Sequence, residues 1–374
     1  MTRVYLDYNA STPVDPSVAE AMRAAMEDSY GNPSSAHWAG ESAKRLLDRS
    51  RGQIAALLGC SPQEIVFTGG GSESNNLALK GLYFARGNRA AHIITSAVEH
   101  PSIFEPCRFL ERLGARVTYL PVDDTGRINP ADLERAITPD SILISIMHAN
   151  NEVGTIQPIE ECARIARSRG VPFHTDAAQS VGKIRTRVDE LGVDLLSVVG
   201  HKVYAPKGVG ALYVRSGVKL EPLIHGAGHE SGRRAGTESA MLAVGLGAAC
   251  ALAEDLSWTQ RAVELRDRMW TALRERLGDR ILLNGHVEYR LPNTLNVSAV
   301  GRAGAEVLAA LDGVAASTGS ACHSGRVELS PVLRAMGIRE TAGMGAIRFS
   351  LGRRTTREEI DTTVDRMTEI LRQS

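Results

Sequence analysis

The chain has 374 residues, 43% of them hydrophobic and 23% charged, and its 43 basic and 43 acidic residues give a formal net charge of zero. This length exceeds what one hydrophobic core usually spans, so we expect two domains, and the neutral charge argues against direct binding of nucleic acid. The N-terminus lacks the apolar core of a signal peptide and no apolar run is as long as a membrane span, which predicts a soluble, cytoplasmic protein that does not bind membranes.

Short β-branched runs alternate with helical segments along the first part of the chain. The predicted strands are residues 64–69, 92–97, 116–122, 141–147, 171–176, 194–199 and 210–215. This alternation is typical of an α/β domain with a mostly parallel sheet and helices on both faces. Ligands of such sheets bind at the carboxyl ends of the strands. The candidates that directly follow strands are Gly69–Glu73, His100, Asn150, Asn151, Asp176 and Lys202.

From Met241 the pattern changes to one long predicted helix that continues to Gly278, followed by shorter strands and a C-terminal helix. We place a domain boundary within that helix, and we expect the extreme N-terminus to pack with the second part of the chain. The predicted organisation is therefore a large domain formed by residues 15–252 and a small domain formed by residues 1–14 and 253–374.

Lys202 follows an apolar run at a predicted strand end, where a charged side chain costs free energy unless something compensates it. Most lysines in loops are exposed, and Lys207 fits that description better than Lys202 does. A lysine in an apolar cleft can act as a nucleophilic amine and form a Schiff base. Pyridoxal phosphate (PLP) uses such a lysine, and it also needs a carboxylate against its ring nitrogen and a site for its phosphate.

Asp176 is a candidate for the carboxylate, because it ends a strand 26 residues before Lys202. A helix N-cap is the alternative role for this aspartate. Gln179 is a candidate donor to the phenolic oxygen of the ring. The glycines up to Gly71 and the following Ser72 lie between a strand and a helix, where free backbone N–H groups bind a phosphate. No Gly-Lys-Ser or Gly-Lys-Thr follows, so this turn is not a P-loop.

Two further side chains are candidates on chemical grounds. His100 follows a strand and is placed to stack on a flat cofactor, although a lone histidine is more often structural. Arg348 lies in a predicted strand of the small domain, where it fits either a substrate carboxylate or an ion pair inside the protein.

The cysteines are Cys60, Cys107, Cys162, Cys250 and Cys322. They contain no CxxC pair, which argues against a disulfide framework and against a cysteine zinc site. Cys60, Cys162 and Cys250 are predicted to be buried and structural. Cys322 lies among small residues and glycines that predict a mobile, exposed loop, where a cysteine is a nucleophile if its thiolate is favoured, for example by the adjacent His323.

Motifs spread over nearly the whole chain carry a family resemblance. In chain order they are YLDYNASTPVDPSV, YGNPSSAH, FTGGGSESNNLALKG, VEHPSI, MHANNEVGTIQPI, HTDAAQSVGK, GHKVYAPKGVGALYVR, RRAGTES, STGSACHSG and IRFSLGRRTT. With these motifs the chain resembles the PLP-dependent cysteine desulfurases. The resemblance implies the PLP-dependent transferase fold of aminotransferase type I, with a large domain and a small C-terminal α+β domain. It also implies a homodimer, PLP as the cofactor, L-cysteine as the substrate and a sulfur-acceptor protein as the partner.

The resemblance assigns roles to the candidate residues. Lys202 would form the Schiff base with PLP, Asp176 would pair with the ring nitrogen, and Gln179 would bind the phenolic oxygen. His100 would stack on the ring and transfer protons. Gly71, Ser72 and His201 would bind the phosphate, and Thr237 would reach the phosphate from the second subunit. Asn151 and Arg348 would bind the substrate carboxylate, with Asn32 nearby. Cys322 would be the sulfur acceptor that carries a persulfide.

The sequence departs from most relatives at two positions. Val199 stands where a serine would hydrogen-bond the phosphate, so the phosphate loses a ligand unless Ser197, a backbone amide or water replaces it. His323 follows Cys322 where threonine or serine is usual. Both features resemble the selenocysteine lyases and some desulfurases that serve DNA phosphorothioation.

Several functions therefore stay open at this point. A selenocysteine lyase needs the same residues as a cysteine desulfurase. An aminotransferase of the same fold and a scaffold that binds sulfur-carrier partners without turnover are further alternatives. For a desulfurase, the sulfur acceptor could serve iron–sulfur assembly, tRNA thiolation or DNA phosphorothioation.

Overall fold

The computed structural model describes residues 3–87, 91–318, 321–323 and 326–372 of the chain. The strands, numbered in chain order, are β1 (Val4–Tyr5), β2 (Ile65–Thr68), β3 (His92–Ser96), β4 (Arg116–Leu120), β5 (Ser141–Ser145), β6 (Phe173–Asp176), β7 (Leu195–Val199), β8 (Gly210–Val214), β9 (Ile281–Asn284), β10 (Thr294–Ala299), β11 (Val314–Ala315), β12 (Ser317–Thr318), β13 (Ala321–His323), β14 (Arg326–Glu328) and β15 (Ala346–Ser350). The helices are α1 (Pro16–Asp28), α2 (Trp38–Leu58), α3 (Gly71–Ala85), α4 (Pro101–Arg112), α5 (Pro130–Ala136), α6 (Ile159–Ser168), α7 (Val188–Leu191), α8 (Ala240–Ala253), α9 (Trp258–Leu277), α10 (Gly304–Ala310), α11 (Pro331–Ala335), α12 (Glu340–Gly343) and α13 (Arg357–Arg372).

The central sheet has seven strands in the order β2-β8-β7-β6-β5-β3-β4. Only β8 runs antiparallel to its neighbours, so the predicted mostly parallel sheet is confirmed. Neighbouring residues of β7 point to opposite faces: Leu195 packs into a core that contains residues of α3 and α4, and Leu196 into a core that contains residues of α2, α6 and α8. Because both faces are covered by helices, every residue of the sheet strands other than β4 is buried.

The C-terminal part of the chain forms a smaller, antiparallel sheet in the order β12-β15-β10-β9. Residues of α9 and α13 pack with it in a separate core. The N-terminus joins this part, because β1 pairs with β11 through Val4 and Val314, and Asp7 forms a bridge with Ser350. The domain boundaries after residues 14 and 252 stay a prediction.

The single long helix predicted from Met241 to Gly278 is wrong. The structure has two helices there, α8 and α9, and the chain bends by 76° between them. Local hydrogen bonds compete with the helix at the break: the N–H of Ser257 donates to Asp255 Oδ1 at 2.8 Å, and the N–H of Thr259 donates to the Leu256 carbonyl. In the part of the chain that the structure describes, no single helix is both long and apolar enough to cross a membrane, and only this bent pair taken together is.

Candidate active site

The carboxyl ends of β6 and β7 lie side by side and open into one cavity. Asp176 is the last residue of β6 and is in register with Ser197 of β7, and a short 3-10 turn after β7 carries Lys202. The cavity has a volume of about 290 Å³. The predicted site residues that line it are Gly71, Ser72, His100, Asn151, Asp176, Gln179, His201, Lys202 and Arg348.

The amine of Lys202 is held by main-chain carbonyls. Its Nζ donates to the carbonyl oxygens of Asn9 at 2.5 Å and of Ala10 at 2.8 Å. Burial and, to a smaller extent, repulsion from Arg348 lower the pKa of Lys202 to about 8, against the opposing effects of the Asp176 and Asp7 carboxylates. Since the neutral amine is the nucleophilic form, this site prepares Lys202 to react near neutral pH.

The carboxylate of Asp176 has two sets of contacts. Its Oδ2 accepts from Asn75 Nδ2 at 2.7 Å, and its Oδ1 accepts from the N–H of Ala178 at 2.9 Å. The second bond closes a turn after β6, and since the chain continues from Asp176 in turns and not in a helix, it is not the helix N-cap considered as the alternative. Asn75 Oδ1 is buried and has no hydrogen-bond partner. The sequence did not point to Asn75, although it lies one turn after Ser72 on α3, at a spacing that puts both on one helix face.

His100 is the N-cap of α4. Its Nδ1 accepts a hydrogen bond from the N–H of Ser102 at 3.1 Å and also contacts Ser102 Oγ at 2.8 Å. Because a backbone N–H can only donate, the neutral ring carries its proton on Nε2. Burial, together with the charge of Lys202, lowers the pKa of His100 against the opposing effect of Asp176. The neutral ring therefore has one N–H that is free of the capping contact.

The N-terminus of α3 supplies an anion site at the cavity wall. No side chain caps it, and the preceding Gly70 has a φ of 143°, a conformation that only glycine adopts readily. A β-carbon on Gly71 would lie 2.5 Å from Cγ2 of Val199, so the helix end approaches the end of β7 very closely. Uncapped N–H groups at a helix start attract phosphate. His201 also lines the cavity, and burial, with smaller effects of Lys202 and Lys207, lowers its pKa to about 4.

Ser197 does not replace the serine that is missing at Val199. It is fully buried, and its hydroxyl lies 3.0 Å from Nε2 of His174 within the sheet. Val199 itself lines the cavity. With Ser197 excluded, a backbone amide or a water molecule is left to bind the phosphate in place of the missing serine.

Arg348 lines the cavity and also forms an internal ion pair. Its Nη2 donates to Asp7 Oδ1 at 2.6 Å, and its Nη1 donates to the carbonyl of Asn151 at 2.9 Å. Its Nε is buried without a hydrogen-bond partner. An ion pair inside the protein and the binding of a substrate carboxylate, the two alternatives for this arginine, are therefore compatible. Asp7 orients the guanidinium, and the guanidinium keeps one unsatisfied donor.

Comparison with known proteins identifies the family. Residues 4–363 match the family described as Aminotransferase class-V. The chain belongs to this family. Class-V aminotransferases are PLP-dependent, and their fold is the one predicted from the sequence, so that prediction is confirmed.

Named relatives support the resemblance to cysteine desulfurases. The chain is 49% identical over 372 residues to a protein of Dictyoglomus turgidum named cysteine desulfurase IscS, covering 98% of this chain and 94% of that protein. It is 46% identical over 369 residues to the Escherichia coli protein of the same name, covering 97% of this chain and 91% of that one.

Two solved structures are also similar. A NifS-like protein superposes with a TM-score of 0.93 at 39% identity, covering all of both chains. The structure described as SspA in complex with cysteine superposes with a TM-score of 0.84 at 42% identity, covering 94% of this chain and 99% of that one.

The residues of the cavity fit PLP, the cofactor of this class-V family. An amine, a buried carboxylate and an uncapped helix N-terminus share one cavity, and these are the groups that bind the aldehyde, the ring nitrogen and the phosphate of PLP. Asn9 belongs to this site although the sequence did not single it out. It lies in the N-terminal segment, and only the folded chain brings its carbonyl to Lys202.

Two of the predicted site residues, Asn32 and Thr237, do not line this cavity. Asn32 is exposed, and its Oδ1 accepts from the N–H of Ser34. Thr237 lines a separate cavity of about 200 Å³ in its own chain. The backbone of Cys322 lies on β13 and pairs with Val327 of β14, and the predicted mobility and exposure of this segment stay predictions. The side chain of Cys322 lies outside the described part of the structure. The roles of all three stay predictions.

The other cysteines are unreactive by position. Cys107, Cys162 and Cys250 are fully buried and Cys60 is partly buried. Burial raises the pKa of each of these thiols to about 12. The prediction that Cys162 and Cys250 are buried core residues is confirmed, and Cys60 differs only in keeping some exposed surface.

Proposed function

We propose that this protein is a PLP-dependent L-cysteine desulfurase, which forms L-alanine and leaves the sulfur on Cys322 as a persulfide. The observation that carries the proposal is the convergence of Lys202, Asp176 and Arg348 in one cavity at the ends of β6 and β7. The names of the relatives at 46–49% identity support sulfur chemistry over plain transamination.

The cavity residues divide into those that would hold the cofactor and those that would hold the substrate. Lys202 would bind PLP covalently, Asp176 would pair with its ring nitrogen, and Gln179 would donate to its phenolic oxygen. The phosphate would be held by the α3 N-terminus with Ser72 and by His201. When bound, PLP supplies an electron sink that accommodates negative charge on the α-carbon of the substrate.

The chain itself supplies binding and proton transfer. Arg348 and Asn151 would bind and orient the cysteine carboxylate, in the manner of a planar guanidinium on a carboxylate. The amine of Lys202, with its pKa lowered to about 8, is suited to take the α-proton and to return a proton. His100 presents Nε2–H as a second proton donor.

The sulfur-transfer step balances without any further reactant. The Cys322 thiolate attacks the sulfur of the substrate and forms an S–S bond, while the carbon–sulfur bond breaks and its electron pair stays on the carbon side. Protonation of that carbon then gives alanine. One cysteine and one thiol thus become one alanine and one persulfide, with no external oxidant or reductant.

A homodimer and an acceptor protein complete the proposal. Thr237 lines a different cavity from Lys202 in its own chain, which agrees with a role in the site of a second subunit. The persulfide needs a thiol-bearing acceptor protein. This acceptor could serve iron–sulfur assembly, tRNA thiolation or DNA phosphorothioation. A cytoplasmic location and the absence of direct nucleic acid or membrane binding remain expectations.

The test is alanine release by the purified, PLP-loaded protein from L-cysteine and from L-selenocysteine. We expect activity on L-cysteine, loss of sulfur transfer in Cys322→Ala, and an unchanged cofactor absorbance in that variant. Cys60→Ala is the matched control, because this thiol is partly exposed but held protonated by burial.

Each rival predicts a different result in the same experiment. Activity on selenocysteine alone would indicate a selenocysteine lyase. If the protein transfers nitrogen to a keto acid, and if Cys322→Ala does not change this activity, the protein is an aminotransferase. A purified protein that cannot be loaded with PLP would indicate a scaffold without turnover.

A further inference from the structure

A second lysine, Lys183, lies buried behind the active-site cavity. Only 5% of its surface is exposed, and its Nζ donates to Gln179 Oε1 at 2.8 Å and to Asn9 Oδ1 at 3.1 Å. Both acceptors are uncharged amides. Among residues 3–87, 91–318 and 326–372, no carboxylate forms an ion pair with Lys183. A buried lysine without a counter-ion is costly, so its position calls for an explanation beyond packing.

The two acceptors of Lys183 are both linked to Lys202. Gln179 Nε2 donates to the Asn9 carbonyl at 3.0 Å, and this same carbonyl accepts from Lys202 Nζ at 2.5 Å. The Asn9 side chain is held further by Asn293, whose Nδ2 donates to Asn9 Oδ1 at 3.1 Å. Lys183 thus contacts two groups that border the cavity, while it does not line that cavity itself.

Lys183 determines which way the Gln179 carboxamide points. A lysine that donates to an amide must meet its oxygen, so the NH₂ group of Gln179 is turned away from Lys183. One hydrogen of that NH₂ group reaches the Asn9 carbonyl, and the other is left for an acceptor in the cavity. If the amide flipped, its oxygen would take the place of this donor and would repel an anionic oxygen.

We propose that Lys183 is a positioning residue that locks the Gln179 carboxamide with its NH₂ group available to the phenolic oxygen of PLP, while it secures Asn9 as the acceptor for Lys202. The inference rests on the proposed function, since Gln179 acts on the cofactor. Burial, with repulsion from Lys202 and Arg348, holds the pKa of Lys183 well below its usual range. A neutral amine has two N–H groups, which match the two amide oxygens that Lys183 contacts.

The test is a double-mutant cycle on the PLP-loaded protein, with the visible absorption maximum and the dissociation constant for PLP as readouts. The variants are Lys183→Met, Gln179→Ala and the double variant. We expect Lys183→Met to shift the absorption maximum and to weaken PLP binding about tenfold, the size of one hydrogen bond. In the Gln179→Ala background the same change should have much less effect, because Lys183 acts through Gln179.

Lys219→Met is the matched control, because Lys219 is an exposed lysine far along the chain from the cavity residues. It should leave both readouts unchanged. If Lys183→Met does not give a folded protein by circular dichroism, Lys183→Gln enters the same cycle, since its shorter side chain keeps a polar end in the buried space.

The outcomes separate this inference from the proposed function. If Lys183→Met changes neither readout, or changes them equally with and without the Gln179 side chain, the positioning role is overturned. The desulfurase proposal stays intact in both cases. If the wild-type protein itself shows no visible band with PLP, the proposed function and this inference both fail.

Discussion

Cγ2 of Val199 occupies the space next to the α-carbon of Gly71, where an added β-carbon would lie only 2.5 Å from that methyl group. Val199 ends β7, Gly71 begins α3, and both line the cavity that contains Lys202. This contact sets how closely the anion-binding end of α3 approaches the end of the sheet. The two positions are therefore best changed together.

Gly71→Ala should weaken PLP binding by at least about tenfold, because the methyl group would push the α3 N-terminus away from Val199. Titration of the apoprotein with PLP, followed by absorbance, measures the effect. Gly71→Ala combined with Val199→Ala should recover much of the affinity, since the smaller side chain leaves room. Gly52→Ala in α2 is the control, because no atom lies within 4 Å of its added β-carbon. Equal affinity of Gly71→Ala and wild type would contradict the steric argument.

Val199→Ser introduces the hydroxyl that the resemblance to the cysteine desulfurases implies at this position. We expect the affinity for PLP to stay the same or to increase, because the phosphate gains a donor, while the protein loses about 1 kcal/mol of stability from the removed methyl groups. Thermal melting of the apoprotein and PLP titration separate the two effects. Val199→Thr, which keeps one methyl group, should lose less stability. Weaker binding by Val199→Ser would show that the valine is an adapted packing residue.

The pKa of Lys202 predicts how fast the apoprotein reacts with PLP at different pH values. Because burial lowers this pKa to about 8, the neutral amine forms as the pH rises through about 8, and the rate should level off above that value. An ordinary lysine would need a pH about two units higher. The reaction of PLP with a small amine, measured in parallel, corrects for titration of PLP itself.

Asp176→Asn extends the same measurement. Since the Asp176 carboxylate raises the pKa of Lys202, its removal should move the midpoint of the profile to lower pH. A wild-type midpoint near that of a free lysine, or a shift to higher pH in the variant, would contradict the electrostatics of the site.

Arg348→Lys should raise KM for L-cysteine about tenfold or more and change kcat and the cofactor absorbance much less. A lysine keeps the charge beside Asp7 but cannot bind a carboxylate with two parallel N–H groups. Steady-state kinetics on the loaded enzyme measure the effect. Arg357→Lys, at a largely exposed arginine of α13, is the charge-conserving control. An unchanged KM would remove Arg348 from the substrate site.

The break between α8 and α9 shows where the local sequence pattern is insufficient. The apolar periodicity through residues 241–278 is helical throughout, which is why one long helix was expected. The hydrogen bond from the Ser257 N–H to Asp255, and the packing of α8 and α9 into different cores, decide the 76° bend instead. The choice depends on where the two cores lie as well as on this local bond, and the helical periodicity of the sequence does not encode the position of the cores.

The sequence by itself determined which residues follow the ends of neighbouring strands and therefore meet at the site. Apolar runs of period and length typical of buried strands ended at Asp176 and at Val199, so parallel pairing alone was enough to bring Asp176 and Lys202 together. Several of the motifs that carry the family resemblance lie at these strand ends and turns, and their residues line the cavity.

Only the tertiary structure decided the contacts between segments that are distant in the chain. The carbonyl of Asn9 at Lys202, the carboxylate of Asp7 at Arg348 and the amine of Lys183 at Gln179 depend on how side chains and loops pack, and Ser197 turned out to face His174. Hydrogen-bond direction and burial arise only when these segments meet. They set the pKa of Lys202 and the orientation of the groups around it, and no local sequence pattern specifies them.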